Sequence, residues 1–213
     1  MIFWCATYHF ISSVEINNGF SFPVSSKNSE VKSVPTIPGL PYLRRIGGKL
    51  SMWTRTMIYN AIIRPHFEYG ATVLFQMFQN DINKLQRLQN KAMRCILRCK
   101  RETPIEEMLS RLKWLNVTNQ IKVLVLVFIF KVRKGLMPVY LTDKLKNVNT
   151  VHNINTRSAK TNKVMRRHCK GERWLRSVFN QGAVLYDRLP TDIKIKKNEN
   201  EFKKKCTEVI CEM

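Results

Sequence analysis

Residues 81–101 read DINKLQRLQNKAMRCILRCKR, and their spacing predicts an amphipathic helix. At about 100° per residue, side chains three or four positions apart share one face of a helix. The apolar members of this pattern are Ile82, Leu85, Leu88, Ala92, Ile96 and Cys99. A neighbouring arc carries the cations Lys84, Arg87, Lys91, Arg94, Arg98 and Arg101, here called the basic row. One edge of the helix is therefore expected to be buried while the adjoining edge presents positive charge.

The basic row is open to two interpretations, a solvated helix face or a surface for a polyanion. A solvated face ordinarily mixes charges of both signs, because like charges three or four residues apart repel each other. Asp81 is the only acidic residue in the stretch, which favours the polyanion. Four of the six cations are arginines, which can bind a phosphate with two parallel hydrogen bonds. We therefore predict that the basic row contacts the phosphate backbone of a nucleic acid.

The whole chain is strongly basic. Its 213 residues include 37 Lys plus Arg against 15 Asp plus Glu, a formal net charge of +22. Hydrophobic residues make up 44%, the share of an ordinary globular protein, so the excess charge is expected on a folded surface or in tails. No apolar run approaches the roughly 18–20 residues that span a bilayer, and we expect no membrane partner.

Residues that carry enzymatic chemistry are scarce. The four aspartates stand apart from one another, and neither a phosphate-binding glycine loop nor a nucleophile elbow occurs. Cys95 and Cys99 could supply half of a zinc site, but a second pair at ligand spacing is missing. We predict no catalytic residue, metal or cofactor. The six cysteines occur without a secretory signal, which favours reduced thiols in the cytoplasm or the nucleus.

Composition predicts three parts in a mostly α chain. Residues 1–41 carry no net charge and hold half of the prolines, which is typical of a poorly ordered extension or linker. Residues 42–146 are expected to form a helical bundle. Residues 147–213 are expected to form a smaller, basic, helical C-terminal region.

Capping patterns in the sequence predict where several helices begin and end. Ser51 is predicted to cap a helix, and Thr103-Pro-Ile-Glu106 has the pattern of a capping box with proline at the first helical position. A helix is expected from Thr118 to about Lys134, with Gly135 just past its end. Its Val-Leu-Val-Leu-Val centre has strand propensity, but its length and caps favour a buried helix.

A second basic cluster lies between residues 157 and 176. We predict that its nucleic-acid-binding residues are Arg166, Arg167, Lys170, Arg173 and Trp174. Trp174 could stack on unpaired bases. A flexible basic loop with one core tryptophan is an equally good interpretation. The run Lys203-Lys-Lys205 is a weaker signal, since it can simply decorate a helix.

Several segments resemble, in order and spacing, the reverse transcriptases of non-LTR retrotransposons, including the jockey-like elements. The resemblance covers about residues 42–205. Its segments are Tyr42–Ile46, Trp53–Leu74, Ile82–Leu97, Lys131–Leu141, Thr156–Ser158 and Gly182–Pro190.

The resemblance implies the region that follows the polymerase palm, namely a helical thumb and the domain after it. In this family the thumb grips the template–primer duplex by its backbone, which implies RNA or an RNA–DNA hybrid as partner. The palm and fingers of a parent polymerase are further candidate partners. The paired aspartates of the palm have no counterpart in this chain, so no polymerase activity is expected of it. The alternatives are a helical protein-interaction module and a non-functional product of a decayed element.

Overall fold

The structure is a computed structural model that describes residues 40–146, 148, 163–165, 171–196 and 198–212. Of the predicted N-terminal extension, only residues 40 and 41 fall within these ranges. The described residues are mainly helical and include no strand, which confirms the prediction of a mostly α fold.

Twelve α-helices are described, in chain order. They are α1 (Leu40–Ile46), α2 (Met52–Ile58), α3 (Arg64–Tyr69), α4 (Ala71–Leu74), α5 (Gln79–Leu97), α6 (Ile105–Leu112), α7 (Val117–Arg133), α8 (Val139–Thr142), α9 (Glu172–Leu175), α10 (Ala183–Asp187), α11 (Thr191–Lys194) and α12 (Glu199–Glu212). A 3-10 turn spans Gly47–Lys49, and π-helical segments span Tyr59–Ile63 and Val178–Gly182.

The described chain divides into two compact units. Unit 1 holds the residues up to Gly70 together with Gln79–Asn116, and unit 2 holds Ala71–Phe78 together with the chain from Val117 onward. The boundary predicted at residue 146 falls inside unit 2, because α4, α8 and α12 all pack against α7.

Unit 1 is built around the buried face of α5, which packs against α1, α2 and α6. Five of the six predicted apolar positions are buried, namely Ile82, Leu85, Leu88, Ala92 and Ile96. Met93 and the polar Gln89 are buried as well, and the amide of Gln89 donates to the carbonyl of Leu115 at 2.9 Å. Tyr59 stacks on Trp114 with ring centroids 4.2 Å apart. Burial raises the pKa of Tyr59 to about 12.

Unit 2 is built around α7, whose buried side chains point in several directions. They are Val117, Ile121, Val123, Val125, Leu126, Val127, Ile129, Phe130 and Val132. A helix that is apolar on most sides must be covered on most sides, and α12, α4, α10 and the 178–182 segment provide that cover. Phe130 stacks on Phe202 of α12 at 4.3 Å. The valine-rich stretch is therefore a buried helix, as predicted.

Gly182 allows the π-helical segment Val178–Gly182 to pack closely against α7. A Cβ atom at this position would lie 2.5 Å from Cδ1 of Ile129 and 3.0 Å from Cγ1 of Val125. Both distances are shorter than ordinary van der Waals contact, and Ile129 and Val125 are fully buried. The absence of a side chain at residue 182 therefore sets how closely the second π-helical segment packs on α7.

The predicted N-terminal cap at Ser51 is confirmed, and the predicted capping box at Thr103 is wrong. Ser51 accepts a hydrogen bond from the amide of Thr54 at 3.2 Å, and Asn198 accepts one from the amide of Asn200 at 3.0 Å. The capping box at Thr103 is not formed, because Pro104 has an extended backbone (ψ 144°) and is itself the cap of α6. Thr103 therefore lies one residue too far from the first turn to cap its amides.

The C-terminal ends of α6 and α7 share one motif. After α7, Gly135 has φ +70°, and the amide of Leu136 donates to the carbonyl of Lys131 at 3.0 Å, which confirms the predicted glycine cap. After α6 the same left-handed position is occupied by Lys113, with φ +54°. A residue with a Cβ atom is strained in this conformation.

The lysine at position 113 gives a testable stability difference. Replacing Lys113→Gly is expected to raise the free energy of unfolding by about 0.5–1 kcal/mol, because glycine adopts a left-handed backbone without strain. Urea unfolding followed by circular dichroism measures the change. Gly135→Ala is the matched opposite. A Cβ at residue 135 would meet no atom within 4 Å, so the strain of the left-handed backbone is the only cost we expect. The free energy of unfolding should therefore fall by a similar amount. A loss of stability in Lys113→Gly would contradict this assignment.

Candidate nucleic-acid interface

The helix that carries the basic row is shorter than predicted. α5 ends at Leu97, and Arg98 has a left-handed backbone with φ +53°. Arg98 and Arg101 therefore lie in the connection to α6, so the prediction that all six cations continue along one helix is wrong. Lys84, Arg87, Lys91 and Arg94 do lie on α5, in the predicted spacing.

The four cations on α5 differ in their exposure and in their pairing with carboxylates. Arg87 and Lys91 are exposed, and neither forms an ion pair with a carboxylate in the described part of the chain. Lys84 is exposed but lies 2.8 Å from the carboxylate of the buried Asp81, which balances its charge. Arg94 is half-buried, and its Nε is buried without a hydrogen-bond partner among the described residues. Arg87 and Lys91 are thus the accessible, unbalanced charges of the helix.

Beyond Leu97 the positive surface continues in the connection to α6. Arg98, Lys100 and Arg101 are all exposed there. Arg98 donates a hydrogen bond to the carbonyl of Gly48, in the 3-10 turn that follows α1. This contact joins the 3-10 turn to the connection after α5.

α1 and the turn after it add cations that the sequence analysis missed. Arg44, Arg45 and Lys49 are exposed, and α1 packs against α5. Burial raises the pKa of the Cys95 thiol, and the charges of Arg44 and Arg55 oppose that shift. Periodicity within one helix cannot show charges that a neighbouring helix contributes. Only the two adjacent arginines in the sequence could have suggested them.

Arg55 is the one arginine of this region that is buried, with 6% of its surface exposed. Its Nη1 donates to the carbonyl of Cys95 at 3.0 Å, and its Nε donates to the carbonyl of Ser51 at 3.3 Å. The last carbonyl groups of a helix carry partial negative charge and lack partners in the helix, so a cation at this position is favourable. Arg55 therefore holds the start of α2 against the end of α5.

The second predicted cluster is only partly described. Arg166, Arg167, Lys170 and the side chain of Arg173 lie outside the described residues. Trp174, on α9, is 50% exposed, so it is not the core tryptophan of the alternative interpretation. Its side chain lines a shallow recess together with Lys144, Met165, Ser177, Phe179 and Asn180. The guanidinium of Arg176 lies 4.2 Å from the ring centroid of Phe78.

Neither a metal centre nor a membrane span stands out in the described ranges. Within them, His, Cys, Asp and Glu side chains form no group of three or more that could hold a metal ion. Cys95, Cys99, Cys206 and Cys211 are free thiols, and the Sγ of Cys99 contacts the Sδ of Met108 at 3.4 Å. No single described helix is long and apolar enough to cross a bilayer, although α6 and α7 together meet that test as a broken span.

Comparison with known proteins adds no assignment: no protein-family model, curated protein or solved structure matches the chain. The likeness to non-LTR reverse transcriptases therefore stays a prediction that rests on the quoted segments.

Removal of the Arg55 guanidinium should destabilise unit 1. Arg55→Met keeps much of the side-chain volume but removes the guanidinium donor to the carbonyl of Cys95 and one of the two donors to the carbonyl of Ser51, which still accepts from the amide of residue 55. We expect the free energy of unfolding to fall by about 1.5–3 kcal/mol, the range for hydrogen bonds to a charged group. Chemical denaturation of the purified chain measures the loss.

The matched control is Arg87→Met, which removes an exposed arginine from the same unit. The free energy of unfolding should change by no more than about 0.5 kcal/mol, as for most surface substitutions. Equal losses in the two variants would show that Arg55 does not hold α2 against α5.

Proposed function

We propose that the chain is a fragment of a retrotransposon RNA-directed DNA polymerase that lacks the catalytic palm and binds template RNA or an RNA–DNA hybrid through a basic surface. The surface comprises exposed cations of α1, the turn after it, α5 and the connection after α5: Arg44, Arg45, Lys49, Arg87, Lys91, Arg98, Lys100 and Arg101. The observation that carries the proposal is the exposure of Arg87 and Lys91 with no described carboxylate paired to either. The implied parent family adds the expectation of a duplex partner.

The packing of α5 supports a role in binding the phosphate backbone of a nucleic acid. Its apolar face packs against α1, α2 and α6, and the hydrogen bond from Arg55 to the carbonyl of Cys95 holds its last turn. A rigid support lowers the entropy cost of placing side chains against a ligand. Lys and Arg contacts to phosphates position a protein on a nucleic acid without reading its sequence. Little sequence preference is therefore expected.

A helical protein-interaction module is the second candidate, and one observation favours it. Trp53 is 71% exposed on α2, and Met57 lies one turn further along the same helix and is 49% exposed. Exposed aromatic and methionine side chains are enriched in protein–protein interfaces. In that case an acidic protein would cover the basic surface.

Salt dependence of binding distinguishes a nucleic-acid backbone surface from a generally basic protein. We expect the chain to bind a labelled RNA–DNA hybrid with a slope of log K against log salt near −4 to −5, if about six phosphates are engaged. The triple variant Arg87→Gln, Lys91→Gln, Arg101→Gln should reduce that slope by about two to three, since each lost contact releases about one counterion fewer. Fluorescence anisotropy over a salt series measures both slopes.

The control triple replaces Lys203, Lys204 and Lys205 of α12 with Gln, which removes the same charge. Gln, Lys and Arg have similar helix propensities, so both triples should fold. The control slope should stay close to that of the unmodified chain. Identical slopes in the two triples would mean that only net charge matters, and they would overturn the proposed surface. Binding that does not respond to salt would do the same.

A further inference from the structure

Arg94 lies in the last turn of α5 and is half-buried, unlike the exposed Arg87 and Lys91 of the same helix. Its Nε is buried without a hydrogen-bond partner among the described residues. We propose that Arg94 makes the tightest contact of the basic surface, by donating two parallel hydrogen bonds to one phosphate of the nucleic-acid backbone. The proposal rests on the proposed function and deepens it, since it names the residue on which affinity depends most.

The buried Nε of Arg94 has a cost in the free protein. A buried N–H group without an acceptor gives up its hydrogen bonds to water and gains none in return, and the cost is larger for a charged group. Folded proteins pair nearly all such groups, so each exception calls for a physical reason. Residues that are kept at a cost to the fold are expected at functional sites.

Support of the helix end is the alternative role for Arg94, because a cation near the last carbonyl groups of a helix is favourable. Arg55 already fills that role, since its Nη1 donates to the carbonyl of Cys95 at 3.0 Å. The Nε of Arg94 donates to no carbonyl group of the described residues. Its position in the last turn therefore does not account for the unpaired donor.

The neighbours of Arg94 on α5 add positive charge instead of balancing it. Lys91 lies three residues before Arg94 and Arg87 lies seven residues before it, so the three side chains share one side of the helix. None of the three forms an ion pair with a carboxylate in the described part of the chain. Like charges at this spacing repel each other. A row of phosphates would relieve that repulsion at all three positions.

The half-buried position suits Arg94 to a tight phosphate contact. Burial of part of the side chain restricts its motion, so less freedom is lost on binding than for the exposed Arg87 or Lys91. Unlike Nε, the terminal Nη1 and Nη2 are not among the buried unpartnered atoms. These two groups can donate in parallel to one phosphate, and the attraction is stronger where water is partly excluded.

Substitution at constant charge tests the two-fold contact. Arg94→Lys keeps the positive charge but cannot donate two parallel N–H groups to one phosphate. In fluorescence anisotropy with a labelled RNA–DNA hybrid, its affinity should fall about tenfold, while its salt slope should equal that of the unmodified chain. The matched control Arg87→Lys should change the affinity by less than about threefold, as for an exposed contact. Unchanged affinity in Arg94→Lys, or equal losses in the two variants, would overturn the role of Arg94.

Stability measurements separate a ligand contact from a structural role. Arg94→Met removes the unpaired donor, so its urea midpoint should be at least as high as that of the unmodified chain, while its hybrid affinity should fall about tenfold or more. A lower midpoint would show that the guanidinium supports the fold, and it would overturn the proposal. Failure of the unmodified chain to bind the hybrid would overturn the proposed function and this role together. Hybrid binding that both Arg94 variants leave unchanged would overturn this role alone.

Discussion

The buried guanidinium of Arg55 supplies the constraint on which the basic surface of unit 1 depends. It donates to the carbonyls of Ser51 and Cys95, so one side chain joins the start of α2 to the last turn of α5. Arg98 donates to the carbonyl of Gly48 just beyond that turn. Arg55 and Arg98 thus both form hydrogen bonds at the C-terminal end of α5. Because these bonds fix that end, the exposed cations around it keep a defined arrangement.

The sequence predicts the helices well and their ends less well, for physical reasons that individual residues show. Gly135 marks the end of α7 because glycine is favoured in a left-handed backbone. Arg98 and Lys113 adopt the same conformation without being glycine, so neither is a local signal that a helix ends. The buried face of α5 follows from its apolar period, whereas the role of Arg55 depends on a partner forty residues away. Such a contact leaves no pattern in the sequence.

The two units carry their positive charge differently. In unit 1 the cations stand exposed over a packed apolar face, which suits a long polyanion that is gripped by its backbone. In unit 2 two half-buried cations, Arg133 and Lys194, lie 4.9 and 5.8 Å from the ring centroid of the buried Tyr186. The basic row can be predicted from the sequence because its spacing repeats along one helix. The cations beside Tyr186 leave no such pattern, since they come from two different helices, α7 and α11.

The central claim is that a nucleic-acid backbone covers the exposed face of α5, and lysine acetylation with and without a saturating RNA–DNA hybrid tests it most directly. Mass spectrometry of the peptides reports each lysine separately. The account predicts that the hybrid protects Lys91 and Lys100 several-fold, while the exposed Lys204 of α12 reacts at an unchanged rate. Equal reactivity of Lys91 in the free and the bound protein would contradict it.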